Sequence, residues 1–250
     1  MSRKIRDTDA RKPGTPETVW NKWGRDFPEL SLQDCTELIV IAPHPDDEVL
    51  GVGGLIALAR ANEIPVRVIA VTDGADTLAA APSLTQSQVV EATAAETADA
   101  LAVLGVDPPV RLGFTEGSLV HEETTLVSAL EVVLEDADPQ AWCLTTWRSD
   151  GQPDHEATGR ATLIACDRLG IRALEYPIWM WHWAYPDHPD VPWDWAAQLV
   201  LPGDVHQLKG TAIQQFCSLL SVEDDSGEST PALPKHVLER LWRMTEMVFG

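Results

Sequence analysis

The sequence predicts an α/β fold: a Rossmann-like, mostly parallel sheet with helices on both faces and a metal site at the carboxyl ends of its strands. Three observations carry this. Short apolar, β-branched runs alternate with Ala- and Leu-rich stretches of helical length, the pattern of βαβ units. Two of the apolar runs end abruptly in His and carboxylates, at His44–Glu48 and at Ser149–Glu156; ligands of open α/β sheets bind at such strand ends. At 250 residues and 44% hydrophobic content, the chain suffices for one large α/β domain with a sizeable core.

The elements follow in order. Residues 1–35 are polar, contain Pro13, Pro16 and Pro28, and read as an extended N-terminal arm. Trp20, Trp23 and Phe27 are spaced to pin that arm to the body. Residues 36–250 read as one domain. Leu38–Ala42 is the first strand, Val49–Asn62 a helix, Val66–Thr72 the second strand. Gln86–Leu104 is a long helix stopped by Gly105. Val110–Gly113 is a short strand, Thr124–Glu135 a helix, Ala141–Thr145 a strand, and His155–Leu169 a helix closed by Gly170. No internal repeat is visible. Val222–Pro234, acidic with Gly227 and two prolines, reads as a loop, and Lys235–Phe249 as a final amphipathic helix.

The run Ile39–Glu48 is the most informative. Pro43 and Pro45 bracket His44, and each removes a backbone donor and disfavours helix in the residue before it, so the chain must turn there. His, Asp and Glu at a strand end suit a hard or borderline divalent metal such as zinc. A catalytic zinc site needs about three protein ligands and an open position. His44 and Asp47 supply two. Asp46, pointing to the other side of an extended chain, is left as general base. The third ligand is expected at His155. A plainer reading takes His44–Glu48 as a solvated turn capping the next helix, but a cap does not require two prolines around a histidine. His155 alone would be an ordinary loop residue; the first motif gives it meaning. Glu48 reads as a helix cap or support, and Asp154 as a carboxylate orienting His155 or a neighbour.

A His-Pro-Asp-Asp-Glu run after a strand, with a later Pro-Asp-His ahead of a helix, resembles the PIG-L/LmbE-like zinc-dependent de-N-acetylases. The resemblance runs from about Leu38 onward and includes Thr72-Asp73-Gly74, Glu96 ahead of Leu104-Gly105, and Lys209 with Ala212 and Ser218. It implies a hydrolase removing an acyl, typically acetyl, group from an N-acylglucosamine unit of a small-molecule conjugate. It further implies one Zn2+ (or another divalent metal) per chain on His44, Asp47 and His155, with Asp46 as base. Three departures stand out. Gln152 occupies the position of a family histidine that assists catalysis, and an amide donates a hydrogen bond but carries no proton at neutral pH. Thr93 replaces an arginine, and Asp150 an aromatic found in some members. Gln152 leaves a second reading open: a metal-binding member with little or no hydrolase activity that holds a glycoside-like ligand. Gln152, Arg148 and His182 are candidate contacts to substrate or transition state; for Arg148 a surface ion pair, and for His182 a satisfied buried polar group, are the plainer readings.

Tyr176–Trp195 holds five of the ten tryptophans. It suits a sugar-stacking wall or, equally, core packing or a subunit interface, so a homo-oligomer is one expected way of covering it. Gly51, Gly53 and Gly54 do not follow GxGxxG spacing and come after an acidic turn that would repel pyrophosphate, so they are expected to allow close helix packing. No GxSxG elbow is present. A net charge of −21 argues against nucleic-acid and anionic-membrane partners, and the lack of a basic cluster beside the motifs counts against a phosphoesterase. Cys35, Cys143, Cys166 and Cys217 lack CxxC spacing and read as reduced core thiols. No run of about 20 apolar residues is present, and Met1–Lys12 lacks an apolar signal core, so a cytoplasmic location is expected.

Overall fold

Leu38 and Val40 face one side of the first strand, Ile39 and Ile41 the other, and all four are fully buried. A strand covered on both faces belongs in the middle of a parallel sheet flanked by helices. The computed structural model, which describes residues 6–75, 85–220, 222–223, 229–230 and 233–250, has that arrangement.

In chain order the elements begin with α1 (Glu17–Trp20), β1 (Leu38–Ala42), α2 (Asp47–Ala61), β2 (Val66–Thr72), α3 (Gln86–Val103), β3 (Val110–Phe114) and α4 (Leu119–Leu134). They continue with β4 (Trp142–Thr146), α5 (Pro153–Leu169), β5 (Arg172–Tyr176), α6 (Met180–Trp183), β6 (Ala196–Val200) and α7 (Gly203–Ile213). The last are α8 (Cys217–Leu220), β7 (Val222–Glu223), β8 (Ser229–Thr230), α9 (Lys235–Leu241) and β9 (Thr245–Phe249). The main sheet has the order β3-β2-β1-β4-β5-β9-β6. Strands β1 to β5 pair in parallel, and β9 runs antiparallel between β5 and β6. Helices α2, α3 and α7 pack on the Leu38/Val40 face, and α4 and α5 on the Ile39/Ile41 face. Strand order reverses at β1, which crosses over to β2 on one side and lies beside β4 on the other. The crevice at the carboxyl ends of β1 and β4 is therefore the ligand position of a doubly wound sheet.

The largest departure from expectation is at the end of the chain. Lys235–Phe249 is not one helix: α9 stops at Leu241, and β9 fills a slot between β5 and β6, pairing from Ala196↔Phe249 to Val200↔Thr245. Consecutive burial of Met247, Val248 and Phe249 cannot be met by a one-sided helix, and the tertiary slot overrides local periodicity. Strands β5 and β6 and helix α7 were not foreseen. Helix α4 starts five residues before Thr124, and α5 starts at Pro153, a favoured first-turn position for proline. Of the acidic stretch expected as a loop, β7 and β8 pair antiparallel, while 221, 224–228 and 231–232 lie outside the described residues. Cys217 is exposed rather than in the core; all four cysteines are free.

The N-terminal arm is tied down along its length. The Trp20 indole is buried and donates to Trp181 O at 3.1 Å, and the Trp23 ring sits 4.6 Å from Trp193. Leu30 and Gln198 exchange backbone contacts, with Leu30 N donating to Gln198 O at 2.8 Å and Gln198 N to Pro28 O at 2.9 Å. The arm thus covers part of the β6 edge, where open hydrogen-bonding groups would otherwise invite association. Among the described residues, no helix is long and apolar enough to cross a membrane.

Candidate metal centre and catalytic cavity

The turn after β1 is anchored to β2: Pro43 O accepts from Thr72 N at 3.1 Å and from Thr72 Oγ1 at 2.8 Å. Asp46 then takes φ 108°, a conformation costly for a residue with a side chain. Asp46 is not in extended chain, as alternation with Asp47 would require. The structure places it instead at the start of α2, where its carbonyl already accepts from Val49 N and Leu50 N. The strained turn sets Asp46 apart from Asp47, which enters the helix and accepts from His44 N at 3.1 Å.

His44, Asp47 and His155 converge. His44 Nδ1 lies 3.2 Å from Asp47 Oδ2 and 3.2 Å from His155 Nε2, and His155 Nε2 lies 3.2 Å from Asp47 Oδ2. Among the described residues this is the one group of three such side chains able to hold a metal ion. The donor set fits zinc. Two imidazole nitrogens and a carboxylate oxygen are zinc ligands, and a tetrahedron with bonds of about 2.0–2.1 Å has edges of about 3.3–3.4 Å.

Each imidazole is held from behind by a buried carboxylate. His155 Nδ1 lies 2.9 Å from Asp150 Oδ2, and His44 Nε2 lies 3.2 Å from Asp154 Oδ2. Asp154 thus supports His44, the neighbour, rather than His155. Such partners fix tautomer and ring orientation and raise ligand basicity. Asp150 was missed as a functional residue and read only as a replaced aromatic. The available signal was a carboxylate five residues before a candidate histidine ligand. It is fully buried and takes four donors: Oδ1 accepts from Ile178 N and Met180 N, and Oδ2 from Trp179 N and His155 Nδ1.

Electrostatics follow from burial and this pairing. Burial alone would lower both imidazoles, but the carboxylates reverse it. Asp154 and Asp47 bring His44 up to about 9, and Asp47 and Asp150 bring His155 up to about 10. Burial would raise Asp47, but His155 and His44 hold it below the ordinary carboxylate range. Asp46 is pushed well above that range by burial and then by the charges of Asp47 and Glu48. Burial, with Asp47 nearby, lifts Glu48 to about 8. Glu48 Oε2 accepts from Asp46 N at 3.2 Å, which makes it a support of the strained turn.

The triangle opens into a cavity of about 350 Å³, whose polar side comprises Asp46, Glu116 and Gln152 together with the three metal-site residues. Gln152 caps α5, with Oε1 accepting from His155 N at 2.9 Å, so its amide N–H2 remains as the donor. The other two expected contacts lie elsewhere. Arg148 is gripped by Glu175 through Nε and Nη2 and does not line the cavity. His182 is buried, its Nδ1 lying 2.8 Å from Arg240 Nη2, also away from the lining. The Trp-rich segment divides: Trp179 lines the cavity, while Trp181, Trp183 and Trp193 pack with Trp20, Trp23 and Phe27 against the arm.

The glycines of α2 serve close packing, as expected. A Cβ on Gly51 would lie 2.4 Å from the Tyr176 ring, and one on Gly54 2.5 Å from Leu201. The helix breaks between them at Val52 (φ −138°, ψ 22°). Glu246 accepts from the freed Gly54 N and Leu55 N at 2.7 Å each. Lys209 Nζ donates to Leu50 O at 2.8 Å and to Glu246 at 2.7 Å. A buried ion pair thus replaces the missing helical bonds just behind the metal-site turn.

The chain is similar in sequence and fold to known proteins. A protein of Bacillus subtilis (strain 168) named "Probable N-acetyl-alpha-D-glucosaminyl L-malate deacetylase 2" is 32% identical over 146 residues, 52% of this chain. The chain spans 61% of the length of that relative. Among solved structures, the A40926 pseudoaglycone deacetylase Dbv21 superposes with a TM-score of 0.66 at 22% identity, covering 86% of this chain and 96% of that one. GalB, the 4-carboxy-2-hydroxymuconate hydratase of Pseudomonas putida KT2440, superposes with a TM-score of 0.59 at 18% identity, covering 82% of each chain. Likeness at these identities shows the fold alone, and a hydratase sharing it shows why the reaction must be argued from the site. The family model described as PIG-L, GlcNAc-PI de-N-acetylase, matches residues 39–166, which hold β1 to β4, the metal-site turn and His155. The chain belongs to the PIG-L family.

Proposed function

We propose that this protein is a zinc-dependent hydrolase that removes an acyl group, in the first instance acetyl, from the nitrogen of an N-acylglucosamine unit in a small-molecule conjugate. The observation that carries the reading is the His44–Asp47–His155 triangle with 3.2 Å edges, opening beside Asp46 into a ligand-sized cavity. Membership of the PIG-L family and the deacetylase name of the Bacillus relative support it.

His44, Asp47 and His155 would hold the ion, which supplies Lewis acidity beside the amide carbonyl. Asp46 takes a proton from the attacking water as its oxygen bonds to the carbonyl carbon. It returns that proton to the nitrogen as the C–N bond breaks, leaving a carboxylate and a free amine. Asp46 lines the cavity beside the triangle, where a carboxylate can exchange a proton with the attacking water. Gln152 contributes an amide donor to the cavity and no titratable proton, so proton movement falls to Asp46.

The metal arm of the test is the zinc content of untagged protein beside Asp47→Ala. About one zinc per chain is expected, lost in the variant; a wild type that stays metal-free when zinc is supplied contradicts the reading. The catalytic arm is acetate release from methyl 2-acetamido-2-deoxyglucoside. Zinc binding without acetate release would favour the second reading, a metal-binding member that holds a glycoside-like ligand, which Gln152 in place of the family histidine supports.

A further inference from the structure

The cavity beside the metal centre is asymmetric. Its polar side belongs to the turn after β1, the start of α5 and Glu116 from the loop between β3 and α4. Its remaining wall is apolar: Leu50 from α2, Ile178 and Trp179 from the segment after β5, and Leu233, Val237 and Leu241 at α9. Among the described residues, no Lys or Arg lines it. The nearby cations are already engaged: Lys209 with Glu246, Arg148 with Glu175, and Arg240 with Pro13 O, Thr15 O and His182. The lining carries three carboxylates, Asp46, Asp47 and Glu116. A divalent ion would offset the charges of Asp46 and Asp47, and no described lining residue adds a Lys or Arg charge, in a chain of net −21.

An anionic substituent entering this space would lose hydration and gain no paired cation among the described residues, which is costly. A hydrocarbon would gain, since each buried methylene is worth about 0.8 kcal/mol, so about two suffice for a tenfold preference. We infer that this chain selects neutral N-acylglucosamine conjugates bearing a hydrocarbon group, which packs between Trp179 and the α9 wall, and discriminates against anionic conjugates such as the L-malate one named for the Bacillus relative. This rests on the proposed deacylase reading. Trp179 supplies a flat face that can stack on a sugar or an alkyl chain, and Val237 and Leu241 of α9 line the same cavity.

The test uses the full zinc-loaded protein and four probes: the methyl, octyl and L-malate conjugates of N-acetylglucosamine, and methyl N-octanoylglucosaminide. Turnover is followed as released amine, and binding separately by calorimetry with Asp46→Ala, so that affinity is read even where nothing is cleaved. The octyl conjugate or the N-octanoyl compound is expected to exceed the methyl conjugate at least about tenfold in kcat/KM and affinity, with the L-malate conjugate at least about tenfold below it. Which octyl compound leads tells whether the wall takes the aglycone or the acyl chain. Leu233→Arg should narrow the octyl-to-malate ratio about tenfold. L-malate binding as tight as octyl, or a ratio unmoved by Leu233→Arg, overturns the inference. Preferential octyl binding without cleavage supports the selectivity and overturns the deacylase reading instead.

Discussion

Residues 38–169 and residues 172–250 build opposite sides of one cavity by different means. The first region is regular βαβ winding, with β1 and β4 covered on both faces and the metal-site side chains placed at strand ends, at His44–Asp47 and Asp150–His155. The second carries short helices, a Trp-rich segment and an antiparallel strand, and it contributes the apolar wall. The regions are locked by carboxylates that cross between them. Asp150, from the first, accepts the backbone N–H groups of Ile178, Trp179 and Met180. Glu246, from the second, accepts Gly54 N and Leu55 N at the break in α2. The metal-site side chains sit on the regular winding, while most of the apolar lining comes from the less regular region.

The largest effect is expected at the Glu246 joint. Lys209→Ala leaves a buried carboxylate and the Leu50 carbonyl without their cation, which should cost about 3–5 kcal/mol and lower Tm by on the order of 10 °C. A drop of a degree or two in thermal unfolding would show that the second region does not brace the metal-site turn. Next comes the Asp150 joint. Asparagine cannot accept all four donors, so Asp150→Asn should weaken zinc affinity about 10–100-fold and shift the ligand-field spectrum of the cobalt-substituted protein. An unchanged spectrum and affinity would mean the His155 ring is oriented without it.

A smaller, pH-dependent effect separates the metal site from the wall. In the metal-free chain His44 and His155 are raised from 6.5 to about 9 and about 10, so their stabilising contribution is present below pH 6.5 and lost as pH rises through those values. Glu48 is raised from 4.5 to about 8, so its contribution falls as pH rises from 4.5 to 8. Both signs agree. Metal-free Tm should fall from pH 5 to pH 10, and the gap to the zinc-loaded protein should widen over pH 6–9 in paired thermal scans. A constant gap would count against the carboxylate-held imidazoles. The smallest effect is expected at the wall: Val237→Ala should raise KM for an octyl conjugate a few-fold with kcat and zinc content unchanged.

Legibility followed the same division. Strands β1, β2 and β4 combine apolar burial with turn residues at their ends, so they were readable to within a residue or two, as was the convergence of His44, Asp47 and His155, while β5, without a β-branched residue, was not. β9 was not, because Thr245–Phe249 follows an amphipathic helix without a glycine or proline stop, and only the slot between β5 and β6 makes it a strand. Asp150 was opaque for a related reason: three of its four donors are backbone N–H groups 28–30 residues downstream, which no side-chain pattern announces, and only its spacing from His155 hinted at it. The strain at Asp46 is likewise a property of the closed turn, not of the residue types.

The central claim is tested most directly by acetate release from methyl 2-acetamido-2-deoxyglucoside by the zinc-loaded protein, beside Asp46→Ala carrying the same zinc. The account predicts stoichiometric acetate and free amine from the wild type and a rate lower by about 10²–10⁴-fold in the variant. Equal rates in the two proteins, with zinc retained in both, would contradict it.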